Sequence, residues 1–313
     1  MLLSILDRRA HNRLLLAATL SSFSLLSAAA YDAVAQPAAA SPGGMLITAG
    51  ELAAAAKDPS LVVLHVADRA SAFEEAHLPG ARFLRYADFA IDGGQGLGSE
   101  LPSVDDVRRV FEAVGVSNGS RVVVYAASPV MAARAFFTLD VMGHPRVALL
   151  DGGLRAWREE GRAIETGAAK PATPGHFMPV LNPARLASAQ LIQQQMPSGG
   201  IALVDVRPDP EFLGTDGGMG GQHAAGHIAG AKQLPWNALV QDDGRFLPRA
   251  QLQAKLASAG ATTGKPVVSY CMVGMRASVV YFVARHLGYE AKLYDGSIVD
   301  WTIKRLPVTT GRQ

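Results

Sequence analysis

Short runs of apolar and β-branched residues alternate along the chain with segments of helical periodicity. Four such runs, at 61–66, 121–125, 201–206 and 266–270, are bounded by turn-forming residues. Continuous apolar runs of this length are typical of strands that are buried on both faces of a parallel sheet. The alternation of such strands with helices predicts an α/β protein.

The segments between these runs carry helix signals. Thr48 and Glu51 have the spacing of a capping box. Ser103 precedes a segment, 104–114, whose apolar residues fall on one face of a helix. Residues 276–287 are apolar almost all round, which predicts a well-buried helix.

Three segments of the chain recur once, in the same order. The pairs are HLPGA at 77–81 with HIAGA at 227–231, VVVY at 122–125 with VVSY at 267–270, and DGGLRAW at 151–157 with DGSIVDW at 295–301. Their separations are nearly constant, so chance is a poor explanation. We predict two homologous α/β domains at 45–168 and 183–313, called here the first and second repeat, joined by the Pro/Gly/Ala-rich stretch 167–175.

Composition narrows the class of protein. The 313 residues are 49% hydrophobic, which excludes global disorder. Lys and Arg number 29 against 27 Asp and Glu, and they form no basic stripe, so nucleic acid is not an expected partner. The single cysteine excludes an intrachain disulfide and a cysteine-rich metal site.

The first 35 residues have the order of a secretory signal peptide. Three arginines within 7–13 precede an uncharged, Leu/Ala/Ser-rich run at 14–30, and an A-x-A site ends at Ala35. The alternative is a membrane anchor, but serines interrupt the short run. We therefore expect cleavage of residues 1–35, a periplasmic or secreted mature protein, and no stable membrane span afterwards.

The only cysteine, Cys271, follows directly after the predicted strand 266–270 and precedes the predicted helix. The intervening residues are Met272, Val273, Gly274, Met275 and Arg276, and residues 271–276 are called the cysteine loop. Ligands of parallel sheets lie at this strand edge, where loop N–H groups and a helix N-terminus stabilise an anion.

A free cysteine is most often a small buried hydrophobe. The strand-edge position of Cys271, in an exported chain without a second cysteine, favours instead a reactive thiolate. Gly274 would permit the tight turn. We expect Cys271 to face a cleft between the repeats. In the first repeat Ala126 occupies the corresponding place, so that repeat is predicted to be inactive.

Five features occur together and in order. They are the paired repeat, LVDVR at 203–207, GHIAGA at 226–231, the strand–cysteine–loop–helix segment and YDGSIVDW at 294–301. Together they resemble a tandem-domain rhodanese sulfurtransferase of the exported bacterial type, over essentially the whole mature chain. The resemblance implies two rhodanese-like domains, each a parallel sheet flanked by helices, of which the C-terminal one is catalytic.

The resemblance also implies the chemistry. Cys271 would accept a sulfane sulfur as a persulfide, and the cysteine loop would be the active-site loop. The implied partners are a small-molecule sulfur donor and cyanide or another thiophilic acceptor. No metal and no organic cofactor are required.

Two arginines are candidate contacts for an anionic donor. Arg207 ends a predicted strand, where the family places a donor-binding arginine; the alternative is a salt bridge to Asp209 or Glu211. Arg276 is expected either to bind the donor or to pair with an acid. No arginine lies between Arg207 and Arg245, which mildly favours thiosulfate over 3-mercaptopyruvate.

The cysteine loop departs from familiar ones because Met272 and Met275 are bulky and uncharged, which leaves the donor open. A phosphatase would need a loop one residue longer before its arginine. A further alternative is a persulfide carrier that docks one protein acceptor through a methionine surface. A glycine-rich insertion at 214–226 is unique to the second repeat and reads equally as a lid or as a solvated loop.

Overall fold

The computed structural model describes residues 44–216 and 225–312. The predicted signal peptide at 1–35 and the centre of the glycine-rich insertion lie outside the described residues. Within the described ranges, no helix is both long enough and apolar enough to span a bilayer.

The first repeat forms one parallel sheet. Its strands are β1 (Leu46–Ile47), β2 (Leu61–Ala67), β3 (Arg82–Arg85), β4 (Arg121–Ala126) and β5 (Val147–Leu150), in the order β1-β5-β4-β2-β3. The flanking helices are α1 (Ala49–Ala54), α2 (Ala70–Glu75), α3 (Val104–Ala113), α4 (Pro129–Val141) and α5 (Gly153–Glu159).

The second repeat forms a sheet of the same topology. Its strands are β6 (Leu186–Ala187), β7 (Ala202–Asp205), β8 (Lys232–Gln233), β9 (Val267–Tyr270) and β10 (Ala291–Tyr294), in the order β6-β10-β9-β7-β8. Its helices are α6 (Ala189–Gln195), α7 (Asp209–Leu213), α8 (Arg249–Ser258), α9 (Ala277–Leu287) and α10 (Ser297–Ile303). The predicted fold class is confirmed: two five-stranded parallel sheets with flanking helices.

Local sequence signals locate these elements closely. The four predicted strands are observed as β2, β4, β7 and β9, within one residue at each end. The capping box is formed, since the Thr48 hydroxyl accepts from the Glu51 amide at 3.2 Å and Glu51 accepts from the Thr48 amide at 2.7 Å. The helix predicted at 276–287 is α9, and most of its side chains are buried.

The histidines of the two recurring turn motifs have the same environment in both repeats. His77 stacks on Phe73 and His227 on Phe212, with ring centroids 3.8 Å apart in each pair. Each Nδ1 is also within hydrogen-bond distance of the carbonyl oxygen of the phenylalanine on which it stacks. A duplicated, buried arrangement of this kind is structural.

Helices α4 and α9 pack against each other and join the two repeats. Phe136 meets Phe282, and Phe137 meets Tyr281, both edge-on with centroids 4.9 and 5.0 Å apart. The two pairs are equivalent, because Tyr281 and Phe282 occupy the places in the second repeat that Phe136 and Phe137 occupy in the first. One buried apolar cluster consequently runs from the first repeat into the second, and the cysteine loop lies where this cluster meets β9.

Candidate active site

Cys271 lies at the carboxyl edge of β9 and immediately before the N-terminus of α9. Its exposed fraction is 0%, and it belongs to the apolar cluster that both repeats share. Tyr86 of the first repeat is near: burial raises the pKa of Tyr86, and the charge of Cys271 adds to that rise. The thiol therefore lies between the repeats as expected, but the expected cleft is closed over it.

The backbone of Cys271 is fixed by the turn that follows β10. Its amide donates to the Ser297 hydroxyl at 3.1 Å, and that hydroxyl donates to the Tyr294 carbonyl at 2.8 Å. The Ile298 amide donates to the Cys271 carbonyl at 3.1 Å. Ser297 has φ = 53°, a left-handed conformation that is unfavourable for serine and persists only where surrounding contacts determine it.

The N–H groups of the cysteine loop are free to bind an anion. Among the described residues, none of the amides of 272–276 donates a hydrogen bond within the protein. These amides lead directly into α9, which has 11 residues. Unpaired N–H groups at a helix N-terminus attract negative charge, so the loop can stabilise an anion on or next to the cysteine sulfur.

Gly274 makes this tight loop conformation accessible. Its φ is 84°, in the left-handed region that glycine tolerates best. A Cβ at this position would lie 2.6 Å from the carbonyl oxygen of Asp295. Any other residue would therefore have to move either the loop or the Asp295 turn.

The remaining side chains of the cysteine loop are buried to different degrees. Met272 is buried in a second apolar cluster, which belongs to the second repeat, and Val273 packs partly against it. Met275 packs partly against the shared cluster. The expectation that two loop methionines form an exposed docking surface is wrong for Met272, which can offer a donor only its backbone.

Arg276 pairs with an acid, one of its two expected arrangements. Its Nη1 and Nη2 each donate to one oxygen of Glu211 at 2.8 Å. Burial alone would lower the pKa of Arg276, but the hydrogen bonds to Glu211 and the proximity of Cys271 raise it. Arg276 thus stays cationic beside the sulfur, and its contact with a donor stays a prediction.

Arg207 is fully buried, and neither of its expected salt-bridge partners, Asp209 and Glu211, is correct. Its Nε and Nη2 donate to Asp205 at 2.6 to 3.1 Å, and Nη2 also donates to the Gly226 carbonyl at 2.7 Å. Asp205 is favoured because it ends β7 two residues earlier and is itself buried. Nη1 of Arg207 has no hydrogen-bond partner in the described part of the chain, and donor binding by Arg207 stays a prediction.

Sequence reasoning missed a contribution from the first repeat. Arg134 of α4 is fully buried and donates to Asp295 at 2.5 Å, while the Leu101 amide donates to the same carboxylate at 2.8 Å. Nearby, burial first and then the charge of Asp295 raise the pKa of Glu100 to about 7. The available signal was Arg134 itself, a cation within a largely apolar helix.

The first repeat has a related turn but no thiol. Ala126 ends β4, and Pro129 begins α4 where the second repeat has the glycine loop. Asp151 accepts a hydrogen bond from the Phe246 amide at 2.8 Å, which mirrors the contact between Asp295 and Leu101. Without a sulfur atom this copy cannot carry a persulfide.

Comparison with known families assigns the fold to one class. The rhodanese-like domain family matches the chain twice, at residues 48–160 and 188–304. A solved structure from Escherichia coli, described as the "Rhodanese" fold of 3-mercaptopyruvate sulfotransferases, is 25% identical with a TM-score of 0.71. The match covers 81% of this chain and 98% of that one.

Curated relatives agree on sulfur chemistry. The thiosulfate sulfurtransferase of Corynebacterium glutamicum is 32% identical over 279 residues, or 85% of this chain and 90% of the relative. The sulfur carrier protein TtuD of Thermus thermophilus is 31% identical over 269 residues, or 82% of this chain and 93% of the relative. The chain belongs to the rhodanese family, among the tandem-domain sulfurtransferases.

Proposed function

We propose that this sulfurtransferase moves the outer sulfur of thiosulfate, through a persulfide on Cys271, to cyanide or another thiophilic acceptor. The observation that carries the proposal is that the N–H groups of 272–276, which follow the only cysteine of the chain, donate no hydrogen bond to the described part of the protein. A persulfide ends in a negatively charged sulfur, and several aligned donors stabilise such an anion. The second repeat is the catalytic domain in this proposal, and the first repeat supports it.

The reaction proceeds in two displacements. The Cys271 thiolate attacks the outer sulfur of thiosulfate, the S–S bond of the donor breaks, and sulfite leaves with the electron pair. Cyanide then attacks the outer sulfur of the persulfide, thiocyanate leaves, and the thiolate is restored. Arg276 keeps a positive charge near the sulfur through both steps.

The choice of thiosulfate rests on the arginines. A mercaptopyruvate carboxylate is best held by an additional cation, and the chain has no arginine between Arg207 and Arg245. Arg207 already donates to Asp205, and Arg276 to Glu211. Thiosulfate is a small dianion that the loop N–H groups can bind, so it needs fewer contacts from these arginine side chains.

The test compares the two donors on one enzyme. Thiocyanate is measured from cyanide with thiosulfate or with 3-mercaptopyruvate, and kcat/KM is compared. We expect thiosulfate to be preferred, together with a mass increase of one sulfur on Cys271, about 32 Da, after incubation with thiosulfate alone. A higher kcat/KM for 3-mercaptopyruvate would show that thiosulfate is not the preferred donor. It would leave the proposed persulfide on Cys271 unaffected.

A second candidate is a persulfide carrier for one protein acceptor. The complete burial of Cys271 favours it, because a buried persulfide is protected from small thiols in solution. The relative from Thermus thermophilus is named a sulfur carrier protein. Persulfide formation with negligible thiocyanate turnover would support this candidate over the first.

A further inference from the structure

The repeat without a cysteine contributes a buried cation to the back of the cysteine loop. Arg134 has an exposed fraction of 0%, and its Nη1 donates to Oδ1 of Asp295 at 2.5 Å. Its Nη2 donates to the Ser99 carbonyl and, at 3.3 Å, to Oδ2 of Asp295. The two residues of this ion pair belong to different repeats.

The Asp295 oxygen that Arg134 binds is one of the atoms that lie against the cysteine loop. A Cβ built on Gly274 would be 2.7 Å from Oδ1 of Asp295. The backbone that follows Asp295 supports the loop from below, since the amides of Ile298 and Val299 donate to the carbonyls of Cys271 and Met272. Fixing Asp295 therefore fixes the surface on which the loop rests.

We propose that Arg134 is a positioning residue for sulfur transfer: through Asp295 it holds the cysteine loop in the conformation that directs its N–H groups at Cys271. The inference rests on the proposed persulfide function of that loop. Arg134 touches neither the sulfur nor the donor in this role. It acts by keeping a carboxylate, and hence Gly274, in one place.

The burial of the Arg134–Asp295 ion pair explains why it can hold Asp295 in one position. Removing one partner of a buried ion pair leaves the charge of the other uncompensated, which destabilises the arrangement strongly. The Nε of Arg134 already lacks a partner among the described residues, so the cation depends on Asp295 and the Ser99 carbonyl. Among the residues that the structure describes, Arg134 is the one cation that forms an ion pair with Asp295.

The equivalent contact in the first repeat makes it possible to distinguish the effect of the Arg134–Asp295 ion pair from that of a contact between the repeats. Asp151 accepts from the Phe246 amide across the repeats at 2.8 Å, as Asp295 does from Leu101. The arginine is not duplicated, because Val279 occupies the place in α9 that corresponds to Arg134 in α4. The charge of Arg245 acts on Asp151, but in the described part of the chain only Asp295 of these two forms an ion pair, with the buried Arg134.

The experiment measures loop geometry with and without a donor. Arg134→Met removes the charge, Arg134→Lys restores it, and Asp295→Asn keeps the shape of the carboxylate without its charge. The readouts are kcat and KM for sulfur transfer, and the rate at which iodoacetamide alkylates Cys271 at pH 7. The second readout needs no donor and is unambiguous because the chain has one cysteine.

We expect Arg134→Met and Asp295→Asn to lower kcat by about 10- to 100-fold, the scale of a roughly 1 Å misplacement, with a much smaller change in KM. Alkylation of Cys271 should slow in the same variants, and Arg134→Lys should recover part of both losses. Asp151→Asn is the matched control, and both of its readouts should stay within about twofold of wild type.

Wild-type kcat and alkylation in folded Arg134→Met would overturn the proposal. Equal damage from Asp151→Asn and Asp295→Asn would also overturn it, because domain contact alone would then explain the loss. If Arg134→Met does not fold, the comparison between the two isosteric Asn variants decides. A wild-type protein inactive with both donors would instead refute the proposed function, and the alkylation rates would still test the anchor.

Discussion

Gly274 and Asp295 approach so closely that no side chain fits between them. The position of a Cβ on Gly274 lies 2.6 Å from the backbone oxygen of Asp295 and 2.7 Å from its Oδ1. Gly274 belongs to the cysteine loop, and Asp295 is held by Arg134 of the other repeat. The shape of the loop is therefore set by a contact that involves both repeats.

Gly274→Ala should strongly reduce sulfur transfer. The new methyl group would push the loop away from Asp295, and a displacement of about 1 Å at a reacting group costs on the order of 100-fold in rate. Thiocyanate formation under saturating donor measures the loss.

Gly80→Ala controls for backbone strain alone. Gly80 has φ = 71°, similar to the 84° of Gly274, but a Cβ there would have nothing within 4 Å. Both variants should lose about 1–3 kcal/mol of stability from the left-handed conformation. Only Gly274→Ala should lose catalysis; equal activity in the two variants would contradict the steric argument.

Cys271→Ser should abolish sulfur transfer, since a serine hydroxyl is not ionised at neutral pH and cannot form a persulfide. Intact-protein mass after incubation with thiosulfate should show the added sulfur on wild type and none on the variant. Activity of Cys271→Ser near the wild-type level would reject Cys271 as the nucleophile.

Ala126→Cys should not create a second active site. Its thiol would be followed by Ala127, Ser128 and Pro129, and proline has no N–H to donate. The Ser128 hydroxyl also accepts from the Val130 amide at 3.3 Å, so that amide is already paired. The test is thiocyanate formation by the double variant Ala126→Cys, Cys271→Ser, which should remain at background; turnover there would show that a strand-edge thiol suffices.

Much of the fold follows from local pattern, whereas parts of the site depend on distant partners. Strand bounds came from apolar runs, and the place of Cys271 came from the repeat and from the strand that precedes it. Arg134 and Asp295 are 161 residues apart, and no local pattern pairs them. The partner of Arg207 was missed for the opposite reason, because Asp205 lies within the strand and reads as a core position.

The complete burial of Cys271 also could not be predicted from the sequence. The strand-edge rule places the thiol where a ligand site would be, but its burial depends on an apolar cluster to which both repeats contribute. Packing between the repeats is a tertiary property, so it cannot be predicted from the periodicity within either repeat.

Processing of the N-terminus is a separate prediction. We expect the mature protein in the periplasmic fraction to begin near Gln36, after the A-x-A site that ends at Ala35. Mass spectrometry of the purified protein measures this. A protein that retains Met1 and stays in the cytoplasmic fraction would refute export.

Arg276→Ala should weaken the use of an anionic donor. Loss of a charge-assisted contact costs roughly 1.5–3 kcal/mol, which corresponds to about 10- to 150-fold in kcat/KM. The loss should be large because the variant also leaves Glu211 without the arginine that neutralises it. Arg249→Ala is the control, since Arg249 is exposed and, within the described ranges, donates to the carbonyls at the end of α9.

Glu100→Gln should change the pH dependence of stability. Burial, with the charge of Asp295 adding to it, raises the pKa of Glu100 from 4.5 to about 7, so the folded protein favours the protonated acid. Below the unfolded pKa the acid is neutral in both states and causes no penalty. As pH rises through the interval from 4.5 to 7, the unfolded chain gains by ionising and the folded protein loses stability. Glutamine cannot ionise, so the Tm of Glu100→Gln should exceed that of wild type at pH 8 by more than at pH 4. An equal Tm difference at both pH values would show that Glu100 is not held in its neutral form by the fold.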